Sequence, residues 1–382
     1  MERTSDQLLI IQSTPFCNID CRYCYLPNRS DKHRMTPETF DRVIANIVQA
    51  GIYRNRFTVA WHAGEPLAVP MAFYRECLAV TARYSSPALA IEHNFQTNGT
   101  LIDDDWAAFI KANDISVGLS IDGPAELHDR HRVDRAGRGT FERVMRGMAA
   151  LKRHGVPFCI ICVLTYEHLA RVEELFHFLR DCGPEQIIFN FDEREGSHRE
   201  TSFAAADAVP RFREFVSRML RLNRAHGNPL SFRNIVVDLL GERDPRLNHQ
   251  VVPWRILSVD WQGNVCTFSP ELLGTRDPAY DNFLLGNLAE SSIAEISARP
   301  TFRRLRGEIE RGIKRCRAEC EYFDWCGGGA PSNKYFELGS FEQTETIYCR
   351  LMRKAVCDAN LDLIEADVQE MGTAKAARSQ TT

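Results

Sequence analysis

Six short apolar runs, each followed by a stretch with helical spacing, set the narrowest limit on what this chain can become. The runs are Leu8 to Thr14, Phe57 to Ala63, Ile91 to Thr97, Ile115 to Ile121, Pro157 to Thr165 and Ile187 to Asp192, with helical patterns near 36–50, 70–84, 103–112, 140–154, 168–181 and 204–225. Parallel strands need long, right-handed crossovers, so this alternation predicts an α/β fold built on a parallel sheet. Six units rather than eight predict an open, partial (β/α)6 TIM barrel. Ligands of such sheets sit beyond the carboxyl ends of the strands. That rule gathers Cys17 to Cys24, Ala63-Gly64-Glu65-Pro66, Thr97-Asn98-Gly99 and Ser120-Ile121-Asp122-Gly123 at one mouth.

At 382 residues the chain is long enough for two cores. The barrel is expected over 1–240, a second domain over 250–365 and a flexible tail over 366–382, with polar, turn-rich loops at 194–203 and 241–250. Helix starts are well marked, as where Thr36 precedes Pro37 and Glu38. In the second domain Gly263-Asn264 suggests a hairpin and 292–315 a helix. A net charge of -4 leaves no basic footprint for nucleic acid. No apolar signal region opens the chain and no run of about 18 apolar residues crosses a membrane, so a cytoplasmic protein is expected. Thirteen cysteines in a reducing compartment point to metal ligation rather than disulfides.

Two cysteine sets stand out. Cys17-x3-Cys21-x2-Cys24 offers three thiolates, which on a four-iron cubane leave one iron open to a small-molecule ligand. Zinc would need a fourth protein ligand, for which His33 is the nearest candidate. Cys316, Cys320, Cys326 and Cys349, with Gly327-Gly328-Gly329 between the last two, offer four thiolates and hence a closed site. Structural zinc is the alternative there. Cys159 and Cys162 lie three apart on a strand and face opposite ways, while Cys77, Cys182 and Cys357 read as small buried hydrophobes.

The first spacing, with Tyr23 inside it and the later strand-end motifs in order, resembles the radical S-adenosylmethionine enzymes over nearly the whole chain. The resemblance implies a [4Fe-4S] cluster on Cys17, Cys21 and Cys24. S-adenosylmethionine would chelate its open iron and be cleaved by one electron to a 5'-deoxyadenosyl radical, with the protein orienting the cofactor. It further assigns Gly64 and Glu65 to a Gly-Gly-Glu-Pro segment facing the methionine amino group, with Ala63 as a mild replacement of the first glycine. Ser120 and Arg132 fall to the methionine carboxylate and ribose and Tyr23 to adenine, with Asp122 a further cofactor-binding candidate.

The second set resembles the SPASM extension of peptide-modifying radical enzymes, which implies an auxiliary [4Fe-4S] cluster on Cys316, Cys320, Cys326 and Cys349. Ala330 stands where a cysteine of another auxiliary cluster is expected, and the early cysteine pair is missing, so one auxiliary cluster is expected, with Cys266 a remnant. Trp61-His-Ala-Gly-Glu-Pro-Leu67, Phe268-Ser-Pro-Glu-Leu-Leu-Gly274 and Cys326-Gly-Gly-Gly-Ala-Pro-Ser-Asn-Lys-Tyr-Phe336 resemble the maturases that install cyclophanes in glycine-rich-repeat peptides. This implies an oxidoreductase joining an aromatic ring carbon to a β-carbon in a ribosomally made precursor, with the auxiliary cluster as sink for the last electron. A leader on that precursor and a flavodoxin- or ferredoxin-like electron donor are the implied partners. Glu271 is the chosen base, ahead of Asp192 and Glu193. Residues 303–317, with seven basic side chains against two acidic, are a candidate leader contact or a solvated helix face. Anaerobic sulfatase-type (formylglycine-forming) and thioether-forming maturases share the same parts and are the alternatives.

Overall fold

The computed structural model describes residues 7–236 and 248–379, with side chains described as far as 369. Within it, β1 (Leu8–Ile11), β2 (Asn55–Trp61), β3 (Leu89–Thr97), β4 (Ser116–Ser120), β5 (Cys159–Leu164) and β6 (Gln186–Phe191) pair in parallel, each with its successor. The crossovers carry α1 (Pro37–Ala50), α2 (Met71–Tyr84), α3 (Asp104–Ala112), α4 (Ala125–His131), α5 (Phe141–Arg153) and α6 (Val172–Cys182), and α7 (Ala208–Ala225) follows β6. This is the α/β partial barrel that the alternation dictates. α1 shows why such helices form where they do. The Thr36 side chain accepts from Thr39 N at 3.1 Å, Pro37 fills the first turn, and Phe40, Val43, Ile44 and Ile47 make one buried stripe. The short helix α4 has no counterpart in the sequence reading, because seven residues are too few to show a period.

The sheet does not stop at β1. On the free edge of β1, β7 (Ile256–Val259) pairs in parallel, Leu8 opposite Ile256, and is followed antiparallel by β8 (Asn264–Thr267) and β9 (Gly286–Asn287). One nine-stranded sheet therefore runs β6-β5-β4-β3-β2-β1-β7-β8-β9. The hairpin expected at Gly263-Asn264 is present, closed by Gly263 N donating to Asp260 O at 2.9 Å, and Gly263 has φ +91°. Its attachment to β1 was not legible, since a four-residue strand carries no mark of a partner some 250 positions away in the chain.

Beyond the hairpin come α8 (Ile293–Ala298), α9 (Pro300–Glu319), α10 (Phe323–Cys326), α11 (Pro331–Leu338), a π-helical stretch at Cys349–Ala355 and α12 (Val356–Ser379). α12 returns to the barrel and pairs with α7 through Arg213 to Asp362 at 2.5 Å and Arg224 to Asp367 at 2.6 Å. It continues as helix through most of the stretch that the sequence marks as a flexible tail. Of the loop expected at 241–250, residues 241–247 lie outside the described residues. No helix among the described residues is long and apolar enough to cross a membrane.

The hairpin side is also tied to α1, where Asn46 Nδ2 donates to Leu288 O at 3.0 Å and Ser291 O at 2.7 Å. Asn46→Ala strands two carbonyl acceptors, so it should lower the stability of the full chain by about 1–3 kcal/mol in anaerobic denaturant titration. An unchanged midpoint would show that this contact contributes nothing to holding the two parts together.

Candidate active site at the barrel mouth

The three-cysteine loop leaves β1 and is stitched to the segment between α4 and α5. Cys17 N donates to Arg29 O at 3.0 Å, Asp20 N to Val133 O at 2.7 Å and Arg22 N to His131 O at 3.0 Å, while Arg135 Nη2 donates to Cys17 O at 2.7 Å. Three polar groups aim at the sulfurs, Asn98 Nδ2 at 3.7 Å from Cys17 Sγ, Arg132 Nη1 at 4.0 Å from Cys21 Sγ, and the Arg29 guanidinium at Cys24. Burial pushes the Cys17 thiol up strongly and the Cys21 thiol to about 12, the latter against the opposing charge of Arg132. Such thiols ionise only when a metal takes the proton's place, and donors already directed at sulfur suit an anionic cluster. The loop thus fits three-thiolate ligation of iron.

The β2 end lies close against this loop. Gly64 has φ +145°, and a Cβ there would sit 2.1 Å from Thr14 O, so only glycine fits. Ala63 has φ +64°, a left-handed backbone that glycine adopts freely. The replacement expected to be mild therefore carries about 1 kcal/mol of strain. Glu65 is buried: its Oε1 accepts from Leu67 N at 2.9 Å and Thr97 Oγ1 at 2.7 Å, and its Oε2 accepts from Asn98 N at 2.9 Å. Burial raises its carboxyl to about 7 against those bonds. Oε2 keeps acceptor capacity for one further donor, such as an ammonium.

Asp122 holds the opposite side of the mouth. Its two oxygens accept a bidentate pair from Arg132, Nε at 2.9 Å and Nη2 at 3.0 Å, together with Val163 N at 2.9 Å and the Tyr23 hydroxyl. With every acceptor site engaged by protein, Asp122 orients Arg132 and Tyr23 and has no acceptor left for a cofactor. Arg132 holds its carboxyl below the usual range despite burial. The Arg132 guanidinium also lies 5.4 Å from the Tyr23 ring centre, which fixes that ring beside Cys21 and Cys24. Ser120 Oγ, at the end of β4, accepts from Gln96 Nε2 at 3.0 Å.

Cys316, Cys320, Cys326 and Cys349 line one cavity of about 230 Å³ together with Gly328 and Gly329. A single zinc ion would draw its sulfurs to about 2.3 Å from itself and close such a space. Among the described residues no three metal-binding side chains converge as a single ion needs. The space suits a bulkier inorganic cluster. Cys326 is already acidic, pushed down to about 6, chiefly by its hydrogen bond with Cys349, with the Arg353 charge adding to it. Thiolate is the ligating form. Cys266 is buried elsewhere, its Sγ near Thr267 O at 3.4 Å, and neither it nor Cys357 lines this cavity.

A group of carboxylates lies near both sites, Glu271 and Glu195 acting on Tyr25 together with Cys24, and Glu193 and Glu195 acting on Tyr348 together with Cys326. Glu193 and Glu195 follow β6, and Glu271 follows β8. Glu195 is buried; Glu193 and Glu271 show some surface, but their carboxyl groups sit deep. Asn333 Nδ2 donates to Glu193 Oε2 at 2.6 Å, Ser332 Oγ to Glu195 Oε1 at 3.1 Å, and Ser269 Oγ to Glu271 Oε2. Burial raises all three, with Glu193 pushed up to about 8, and the charge of Glu271 adds to the rise at Glu193 and Glu195. Asp192, by contrast, is occupied by Ser202 N at 2.8 Å and Ser202 Oγ at 2.9 Å. Glu195, Tyr25 and His62 were missed from the sequence. Tyr25 OH lies 3.4 Å from His62 Nε2, and burial lowers His62 to about 4, so its ring is neutral. Alternating acidic residues in a turn-rich loop read as solvated, and nothing local marks them as buried. The basic stretch 303–317 falls on α9, where Arg304, Arg306, Arg311 and Arg315 are paired with Glu308, Glu310, Glu342 and Glu319. Those four arginines are thereby neutralised in pairs, while Arg317 lies over the Phe323 ring.

Comparison with known proteins adds to this geometry. The radical SAM superfamily profile matches residues 11–179, and the profile of the SPASM iron-sulfur cluster-binding domain matches 251–321. An uncharacterized protein of Synechocystis is 38% identical over 366 residues, covering 94% of this chain and 92% of that protein. A serine-type anaerobic sulfatase-maturating enzyme of Klebsiella aerogenes is 35% identical over 214 residues, 54% of this chain and 52% of that enzyme, so the match spans about half the length of each. Among solved structures, anSMEcpe with bound AdoMet superposes with a TM-score of 0.76 at 21% identity, covering 94% of this chain and 98% of that one. SuiB of Streptococcus suis bound to the precursor peptide SuiA gives 0.65 at 16% identity, covering 90% and 75%. Those two likenesses establish the fold.

Asp122→Asn removes the counter-charge of a buried guanidinium and should cost about 3–5 kcal/mol of stability. Equilibrium denaturation of the anaerobic protein checks this, and a loss below 1 kcal/mol, the order of an exposed pair, would show that Arg132 does not depend on Asp122.

Proposed function

The chain belongs to the radical SAM superfamily and carries a SPASM iron-sulfur domain, and on that premise we propose that it is a peptide maturase forming a cyclophane. In this reaction an aromatic ring carbon is joined to a β-carbon of a nearby residue in a ribosomally synthesised precursor. Membership implies S-adenosylmethionine with a [4Fe-4S] cluster at the first site and auxiliary iron-sulfur chemistry at the second. When bound, these groups supply a hydrogen-abstracting 5'-deoxyadenosyl radical and a one-electron sink.

The observation that carries the reading is the buried carboxylate group of Glu193, Glu195 and Glu271, set near both cysteine sites. Crosslinking of a ring carbon removes a ring proton, and a deep carboxylate whose affinity for protons is raised can accept one near neutral pH. Glu271 takes that role, its carboxylate oriented by the Ser269 hydroxyl. At the mouth, Gly64 lets backbone approach the methionine amino group and Glu65 Oε2 receives it. Ser120 and Arg132 hold its carboxylate and ribose, and the Tyr23 ring flanks adenine. Asp122 serves them by fixing Arg132 and Tyr23. A peptide partner agrees with a neighbour of the same fold that holds a precursor peptide. An external flavodoxin- or ferredoxin-like protein supplies electrons.

The identity shared with serine-type sulfatase-maturating enzymes favours a second reading, oxidation of a serine or cysteine side chain to formylglycine. Incubation with a glycine-rich precursor separates the two. The crosslink removes two hydrogens, consumes no precursor cysteine and leaves no aldehyde, whereas formylglycine is trapped by hydrazides. A hydrazide-reactive product replaces the first reading with the second. Glu271→Gln should abolish crosslinking while 5'-deoxyadenosine still forms; wild-type product yield would remove Glu271 from the mechanism.

The carboxylate group also sets a pH dependence. Its folded affinity for protons exceeds the unfolded one, so the native state holds protons that the unfolded chain has released between about pH 4.5 and 8, and stability falls as pH rises through that window. Burial raises Glu271 above the usual carboxylate range, so its base form gains as pH rises and the crosslinking rate should increase with it. A single-turnover rate that stays flat as pH rises from the acid side of neutrality to the alkaline side would exclude these carboxylates.

A further inference from the structure

Lys334, near the start of α11, is only 3% exposed. Burying an ammonium is costly unless an anion or several acceptors receive it. Among the described residues no carboxylate forms an ion pair with it; its Nζ donates to Cys316 Sγ at 3.2 Å. The passage it follows runs close beside two glycines. A Cβ at Gly312 would stand 3.3 Å from Nζ, and one at Gly329 would stand 3.5 Å from Cε. The other cations nearby are arranged differently. Lys354 lines the same cavity but is paired with Glu345 at 2.6 Å, and Arg353 lies on the side of Cys326 and Cys349 over the Tyr348 ring. Lys334 is the cation that meets a cysteine sulfur directly and without a counter-charge.

We propose that Lys334 is a positioning residue that raises the reduction potential of the cluster held by Cys316, Cys320, Cys326 and Cys349, through a charged N–H bond to the Cys316 sulfur. This rests on the reading of the four-cysteine cavity as an auxiliary cluster site. A cluster ligated by four thiolates is anionic, and an added electron makes it more so. A fixed positive charge and a hydrogen bond to a ligand sulfur both stabilise the reduced form more than the oxidised one. The low polarity around the buried Nζ strengthens both effects. A side chain that merely filled space would leave the potential where it is.

The test is an anaerobic redox titration, followed by electron paramagnetic resonance, of the reconstituted full chain, of Lys334→Met, which keeps length and loses charge, and of Lys334→Gln, which keeps a donor. At the wild-type midpoint, the reduced-to-oxidised ratio of the auxiliary cluster should fall about tenfold in Lys334→Met, which for one electron is about 59 mV. Lys334→Gln should fall between, and the three-cysteine cluster should not move. Wild-type midpoints in a variant that retains its iron and sulfide overturn the proposal. Loss of auxiliary iron in both variants also overturns it, because the lysine would then serve assembly. A wild-type chain holding only one cluster refutes the underlying reading of the cavity instead.

Discussion

Everything at this site depends on β1 being paired along both edges. Its four residues, Leu8 to Ile11, hold β2 on one side and β7 on the other, in parallel and in register. The three-cysteine loop leaves the carboxyl end of β1, and β7 leads into the hairpin whose exit carries Ser269 and Glu271. Backbone hydrogen bonds of a central strand tolerate almost no slippage, because a one-residue shift would turn Leu9 and Ile11, both fully buried, to the wrong face. One ladder therefore sets the hairpin exit with Ser269 and Glu271 against the three-cysteine mouth.

Around that ladder the mouth is held by polar groups that are largely satisfied within the protein. Glu65 ties the β2 end to the β3 end through Thr97 and Asn98, and Asp122 ties the β4 end to Arg132, Tyr23 and Val163. A carboxylate engaged in this way orients neighbours more than it binds ligands. Preorganisation of this kind is what a site needs when its cofactor does the hard chemistry and stray reactions must be prevented. Burial also raises the proton affinity of Glu193, Glu195 and Glu271, and Glu193, pushed up to about 8, can exchange a proton near neutrality.

The sequence marked the cysteines, the strand-end motifs and the order of the barrel because each is local. A Cys-x3-Cys-x2-Cys spacing or a first-turn proline is legible within a few residues. It misjudged Ala63, whose cost lies in a φ of +64° that spacing does not reveal. It assigned Asp122 to the cofactor, where the structure shows its acceptor sites engaged by Arg132, Tyr23 and Val163. It left the basic residues of α9 open between a leader contact and a solvated face, and in the structure several of those arginines meet acidic partners one turn along α9 or as far away as Glu342.

By itself the amino-acid order determined the α/β class, the two clustered sets of cysteines and the mouth at which the first set lies, since periodicity and spacing are properties of neighbouring residues. Only the tertiary structure decided that β7 continues the barrel sheet, that Glu195 joins Glu193 and Glu271 below the surface, and that Lys334 meets Cys316. Those outcomes depend on contacts between segments distant in the chain, and burial, which sets their chemistry, exists only once those segments have packed.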